Sequence, residues 1–496
     1  MIDIETSIHD AYSVEVKIGF KTKQIGQTAE FDINTWFFIP NSLDINASTY
    51  TKDQFYSDVK SKVRFITPIY LLKEIVDNGA VPLNNLRSAL NDVLQAEEDS
   101  SELLMEYEFQ LKMFMAIFRS AIRNHLVEIK KCILTKDLEV RCLEFASAVE
   151  NISIQFRGLR ELLIDVEEGS ETRNYYDFAD EYLSYAIVHQ VFGFLELLEG
   201  DQYNLSEKVR QHLIGLITRE KEYMKIHNYL DIKKGDRENN QKVVYRHTML
   251  DKYIESDLAL ISNKRKDEDG VIAQQIYYSL AAGLSMIFAT VIAFSFQQKY
   301  GNFTMPLFVA LVISYMLKDR IKELMRYYFI GKLGGKYFDN KTNISVKDQK
   351  IGWIKESVDF IVEEKVPEEV LNLRDRSALL EIENKIHNEK IMLYRKKVHL
   401  DNKKVIKEST YAFDGINDII HFNLTRLTQR MNNPYVTVYT LDQNDLIGEP
   451  ERILADKIYY LNFIAQIKYE NIVEYKRFRI VCKRTGIEAI EELSLS

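Results

Sequence analysis

Asp414, Asp418 and His421 stand at intervals of four and three, the spacing that turns three metal ligands to one side of a helix. Their setting, "FDGINDIIHFNL", reads instead as a turn followed by a strand, which scatters the three, so no metal site is assigned to them. His189 lies on an apolar stripe with Phe178, Tyr182, Tyr185, Phe192 and Leu195. A lone histidine there is expected as a hydrogen-bonded core residue rather than a ligand. "GKLGGK" at 331–336 offers glycines and a lysine to a phosphate. It lacks the four-residue gap of a P-loop, and Tyr337 stands where Ser or Thr is required. The basic stretch "YRKKVHLDNKKVIK" (394–407) carries Arg395, Lys396, Lys397, Lys403, Lys404 and Lys407. With no aromatic platform interleaved among these charges, it reads as a solvated strand or loop rather than a nucleic-acid surface. No serine elbow, HExxH, GxGxxG or paired-cysteine motif is present. The reading leans away from an enzyme and assigns no catalytic, cofactor-binding or metal residue.

The residues with the strongest physical signal are apolar. No charged side chain occurs between Asp269 and Lys299, and about 20 residues suffice to cross hydrocarbon at roughly 1.5 Å per residue. Ile276–Phe296 meets that length, and a second run from Gly301 to Leu317 lies near its lower limit. Only "QQKYGNF" separates them, so the sequence predicts an antiparallel two-helix transmembrane hairpin. Lys264, Arg265 and Lys266 precede the first run, and Lys318, Arg320, Lys322 and Arg326 follow the second, while the turn carries only Lys299. That asymmetry predicts a two-span protein of the cell membrane with both termini in the cytoplasm. Lys318, Arg320, Lys322 and Arg326 are expected to contact the membrane surface. Ala281, Ser285, Ala289 and Ala293 repeat every four residues, as do Ala310 and Ser314. Small residues at this spacing let helices approach closely in lipid, either within the hairpin or between copies of the chain. Neither run contains Asp, Glu, Lys or His, which argues against an ion or proton pathway within the spans.

The flanking elements decide what such an anchor would carry. A chain of 496 residues with 46% hydrophobic and 28% charged residues predicts several soluble domains around a local membrane segment. A net charge of −9 argues against a general nucleic-acid-binding surface. The three cysteines, Cys132, Cys142 and Cys482, match no zinc or disulfide framework and suit a reducing compartment. The acidic start "MIDIETSIHDAYSVEV" reads as lacking a secretory signal. Residues 1–80 are expected to be β-rich, with "YSVEVKIGF" and "FDINTWFFI" paired as a hairpin and a helix over "TKDQFYSDVKSKV". Stripes of period 3.6 predict a cytosolic helical bundle over 81–263, its last helix running into the first span of the transmembrane hairpin, which takes residues 271–317. Residues 318–380 read as a basic juxtamembrane helical region. Residues 381–496 return to period two and predict an antiparallel β domain in which "YVTVYTL" answers "IIHFNLTRL". The fold class is therefore an α+β membrane protein, and whether its two β regions pack together stays open. The expected partners are the lipid bilayer, a cytosolic protein and a second copy of the chain, and the expected role is a membrane-tethered interaction, scaffold or sensor protein. Two alternatives stay open: an oligomeric membrane effector or pore built by the hairpin, and an enzyme without a recognisable motif.

Overall fold

The structure is a computed structural model. It describes residues 2–21, 28–77, 79–96, 100–131, 138–200, 207–266, 268–333, 337–346, 349–386, 388–401, 403, 411, 413, 415–441 and 450–493. In chain order the elements begin with β1 (Ile2–Asp10), β2 (Ser13–Lys21), β3 (Thr28–Ile39), α1 (Lys52–Asp58) and β4 (Val59–Phe65). Helices α2 (Val81–Gln95), α3 (Ser101–Lys131), α4 (Leu138–Arg157), α5 (Glu171–Gly200), α6 (Glu207–Ile226) and α7 (Arg237–Glu255) follow. Then come β5 (Ile261–Lys266), α8 (Glu268–Tyr300), α9 (Met305–Leu333), β6 (Asn340–Val346) and β7 (Gln349–Ile361). The last third holds α10 (Glu368–Arg374), α11 (Ala378–Ile386), β8 (Lys390–Asp401), β9 (Gly415–Asn423) and α12 (Thr425–Thr428). It ends with β10 (Tyr435–Leu441), β11 (Pro450–Asp456), β12 (Tyr459–Tyr469), β13 (Ile472–Lys483) and β14 (Gly486–Leu493). The class is mixed α+β with antiparallel sheets, divided into two compact units.

The first unit takes residues 1–64, 260–410 and 414–496. Its strands form a four-stranded sheet, β1-β2-β9-β4, and an eight-stranded sheet, β14-β13-β12-β3-β8-β7-β6-β5. Period-two patterning turns Ile4, Val14, Ile18, Ile420 and Phe422 of the small sheet toward Ile33, Phe37, Phe463 and Phe478 of the large one. Contacts such as Phe20–Phe31 and Phe37–Phe422, at ring distances of 5.1 and 5.7 Å, join the two layers. The opposite face of β3 is apolar as well. There Trp36 and Phe38 are buried with Ile391, Ile464 and, from α10, Val370. Burial of each such ring stabilises the fold by about 1.5–3 kcal/mol, so β3 is fixed in the centre of the large sheet.

Several expectations change at this level. The strands 12–20 and 31–39 are not partners, because β2 pairs with β1 and β9 while β3 pairs with β8 and β12. The chain's two β regions therefore interleave, and the burial of both faces of β3 outweighs local hairpin closure. Likewise β9 does not pair with β10. Thr425–Thr428 is helical, and β10 pairs with β11. The helix expected to run into the first apolar run ends at Glu255, and Ile261–Lys266 pairs as an edge strand with β6. Its exposed residues, ISNKRK, carry no periodic signal, and the charge at its end suits an unprotected edge. Residues 318–380 are helical to Leu333, then form β6 and β7, and turn helical again in α10 and the start of α11. The helix over 51–63 stops at Asp58, where β4 begins.

The second unit takes residues 65–259 and 411–413 and is helical. Leu111, Met115, Phe118, Ile122, Leu126 and Ile129 bury one side of α3, and Cys142, Phe145, Val149, Ile152 and Phe156 bury one side of α4. On α5 the buried residues include Tyr176, Asp180, Tyr182, Leu183, Ser184, Ile187, Val191 and Leu195. His189 and Phe192 are exposed. The interior of α5 includes a carboxylate and a hydroxyl; of the expected stripe, Tyr182 and Leu195 are buried, Phe178 and Tyr185 are half-buried, and His189 and Phe192 lie outside it.

Candidate functional site

Helices α8 and α9, of 33 and 29 residues, pack together as a hairpin. Gly301 and Phe303 turn the chain with φ of 78° and 61°, and Gln297 Nε2 donates to Asn302 Oδ1 at 2.8 Å. Pro306 falls in the first turn of α9, where its missing N–H costs nothing. Ala281, Ser285, Ala310 and Ser314 are buried, while Ala289 and Ala293 are half-buried. Ser314 Oγ donates to the Ala289 carbonyl at 3.2 Å. The large residues point outward, Ile287, Val291, Phe294, Phe308 and Met316 each being more than half exposed.

Among the described residues, Gln275–Tyr300 alone is long and apolar enough to cross a membrane, and only 11% of its apolar stretch is buried. The expected second span falls short for a structural reason. Helix α9 starts at Met305, so Met305–Leu317 gives about 20 Å of apolar helix before Lys318, against a hydrocarbon thickness of about 30 Å. The register sharpens the mismatch. Ser314 meets Ala289, and the Arg326 guanidinium lies 4.8 Å from the Tyr278 ring centre. Lys318 therefore stands level with the neighbourhood of Ser285, midway along the apolar stretch of α8. Lys318 also lies over the Tyr315 ring at 4.0 Å, Arg320 is exposed, and Lys322 and Arg326 are half-buried along the helix pair.

In the first unit, Lys396 is 2% exposed and lies against Asp418 of β9, with Glu356 of β7 at 3.3 Å. Glu356 also accepts from the Tyr394 hydroxyl and lies 3.1 Å from Lys264, and Ser61 Oγ donates to Asp418 at 2.5 Å. The solvated reading of the basic stretch therefore fails at Lys396. In β8, Tyr394, Lys396, Val398 and Leu400 share the inward parity, a signal legible in the sequence. Burial pushes the Glu356 carboxyl up, but the Lys396 and Lys264 charges and the Tyr394 hydrogen bond outweigh it and hold it at about 2. Lys396 borders an apolar cavity of about 60 Å³ between the sheets, far below the roughly 300–1,000 Å³ of a ligand pocket. This is a structural cluster.

In the helical unit, Arg157 grips Glu220 at 2.7 and 3.1 Å, donates through Nε to Asp180 at 3.2 Å, and reaches Ser184 Oγ at 2.9 Å. Asp180 further accepts from the Tyr223 and Tyr229 hydroxyls at 2.7 and 2.9 Å. Arg157 also stacks on the Tyr223 ring at 3.5 Å. Asp180 and Glu220 are buried, and both are engaged by this network, so its role is to fasten α4, α5 and α6.

A third cluster lies on the outer face of the small sheet. Glu15 of β2 and His421 of β9 are register partners, and His421 Nε2 lies 2.9 Å from Glu15 Oε2. The His9 ring stacks on His421 at 4.2 Å and 17°. Beside them opens a cleft of about 700 Å³, lined by residues including Ser57, Asp58, Lys60, Asn423 and Arg426. Of the residues spaced for a helical metal site, Asp418 points inward to Lys396, His421 points outward, and Asp414 lies outside the described residues. The strand separates them, and β1, unrecognised in the sequence, supplies His9 instead. The alternation of Ile2, Ile4, Thr6 and Ile8 was the available signal for that strand. Compared with known proteins, the chain matches neither a protein-family model nor a curated protein sequence.

Proposed function

We propose that the protein is a membrane-anchored, non-enzymatic interaction or sensor protein, tethered through the α8–α9 hairpin with its remaining parts on the cytosolic side. The observation that carries this reading is an apolar helix pair with outward-facing large side chains that rises from one hydrogen-bonded strand pair. A core helix of a soluble protein would be mostly buried, whereas 11% of the apolar stretch of α8 is. Strand β5 enters α8, strand β6 leaves α9, and Lys266 pairs with Asn340. A single crossing would put these two strands on opposite sides of the bilayer, so the pairing supports a return, and hence two spans. Lys264, Arg265, Lys318, Arg320, Lys322 and Arg326 favour the cytosol for that side. The short apolar belt of α9 is accommodated by snorkelling lysines and local thinning of the bilayer. Membranes washed with alkaline carbonate should retain the chain, and Ile287→Arg with Val291→Arg should release it. Release of the unmodified chain by carbonate would overturn the reading. Partner recognition is tested by crosslinking and capture, with a defined partner lost on deletion of residues 100–230.

A second reading, an oligomeric pore, is favoured by the register of the pair. Lys318 lies level with the apolar middle of α8, and Lys322 and Arg326 follow it toward the N-terminal end of that stretch, a costly depth for the Lys318 charge unless it borders water. Copies arranged with α9 inward would supply that water. Ala289→Leu with Ala293→Leu should then abolish self-association and dye release from vesicles. A chain that stays monomeric in mild detergent and releases no dye removes this reading.

A further inference from the structure

We propose that His9, Glu15 and His421 form a binding site for a divalent transition-metal ion of the zinc type, on the outer face of the small sheet. Three neighbouring strands each contribute one donor. Glu15 stands on the central strand β2 and pairs in register with His421 of β9. His9 lies at a register break in β1, because Ile8 pairs with Val14 while Asp10 pairs with Ser13. A bulge of this kind re-aims its side chain, and here it brings the imidazole over β2 onto the His421 ring. Donor atoms of all three lie within 4.8 Å of one another, a grouping found once among the described residues.

Zinc at about 2.0–2.2 Å from nitrogen and oxygen donors, in a tetrahedron, sets those donors roughly 3.3–3.6 Å apart. The His421–Glu15 separation of 2.9 Å is already close to that spacing. His9 is exposed, so a turn of its ring about the side-chain bonds closes the remaining gap without moving the sheet. A bland reading makes this a cross-strand His–Glu pair with a second ring stacked on it. That accounts for two of the contacts but not for a bulge that carries a third donor to the same point. Two imidazoles and one carboxylate suit zinc and its neighbours in the first transition row, and leave one or more coordination positions open. Those positions face the cleft that Ser57, Lys60 and Arg426 line, where water or an oxygen donor can complete the shell.

The test uses the full chain in detergent, stripped with chelator and titrated with Co²⁺. One equivalent should bind with visible d–d absorption and be displaced by Zn²⁺. His9→Ala, Glu15→Gln and His421→Ala should each weaken binding by at least about tenfold, and His9→Ala with His421→Ala should remove it while far-UV circular dichroism stays unchanged. Should His421→Ala fold poorly, His9→Ala, at an exposed strand end, still decides the matter. His189→Ala with His247→Ala should leave the titration as it is. Absence of saturable Co²⁺ binding, binding unchanged by His9→Ala, or binding lost on replacing His189 and His247 would each overturn the site.

Discussion

Lys396 shows how a buried charge is tolerated in this sandwich. Its ammonium is closed in by Asp418 and Glu356; Ser61 and Lys264 engage their other oxygens, and Tyr394 donates to the Glu356 oxygen that faces Lys396. Removing Asp418 leaves the buried Lys396 with Glu356 alone, which it shares with Lys264, so Asp418→Ala should cost about 3–5 kcal/mol in a denaturant titration. Lys396→Met combined with Asp418→Leu should cost much less, because the remaining charge, Glu356, keeps Lys264 and the Tyr394 hydroxyl. The pH response follows from Glu356. Its folded pKa of about 2 lies below its ordinary 4.5, so between these values the unfolded chain binds a proton that the folded chain does not. Stability from this group is therefore present above about pH 4.5 and lost as pH falls toward 2. Glu356→Gln should flatten that part of the acid-unfolding curve, and an unchanged curve would contradict the assignment. At this scale much was readable: Lys396 has the parity of Val398 and Leu400, and Asp418 that of Ile420 and Phe422. What the sequence concealed was that these two inward charges face each other, because that depends on which strands pair.

The α8–α9 pair owes its register to small side chains. Ala281 and Ser285 on one helix, and Ala310 and Ser314 on the other, are buried in it. Ala281→Leu would force bulk into a filled seam and should destabilise the pair by about 1–3 kcal/mol. This would be read as faster proteolysis within 268–333 of the detergent-solubilised chain, with no change in the first unit's β signature. If proteolysis is unaffected, the seam is looser than the geometry indicates. Long helices with an unbroken pattern, α3 and α4 among them, were legible, since one apolar face suffices to mark them. Helix α5 was legible at Tyr182 and Leu195 but not at His189, because Asp180 and Ser184 also face inward and bond to Arg157. Strand β5 was hidden because "ISNKRK" has no apolar alternation and exists only through its pairing with β6.

At the scale of the whole molecule, the hairpin is an insertion between two paired strands. Lys266 and Asn340 are register partners, so replacing residues 267–339 by Asn-Gly should close β5 and β6 as an ordinary two-residue hairpin. That chain should be soluble and retain the β-sheet content of the first unit, measured by fractionation and circular dichroism. Aggregation of it would show that α8 and α9 support the sheet. The sandwich itself was only half legible, since period two marks a strand but does not name its neighbour across hundreds of residues. Chemical accessibility reads out whether both flanks of the membrane hairpin lie on one side. In a background with Cys132, Cys142 and Cys482 replaced by serine, Asn302→Cys and Gln241→Cys are treated separately with an impermeant maleimide. Reaction at position 302 in intact cells, and at position 241 only after permeabilisation, is the predicted result. Reaction at position 241 in intact cells, or at neither position until lysis, would contradict the two-span account.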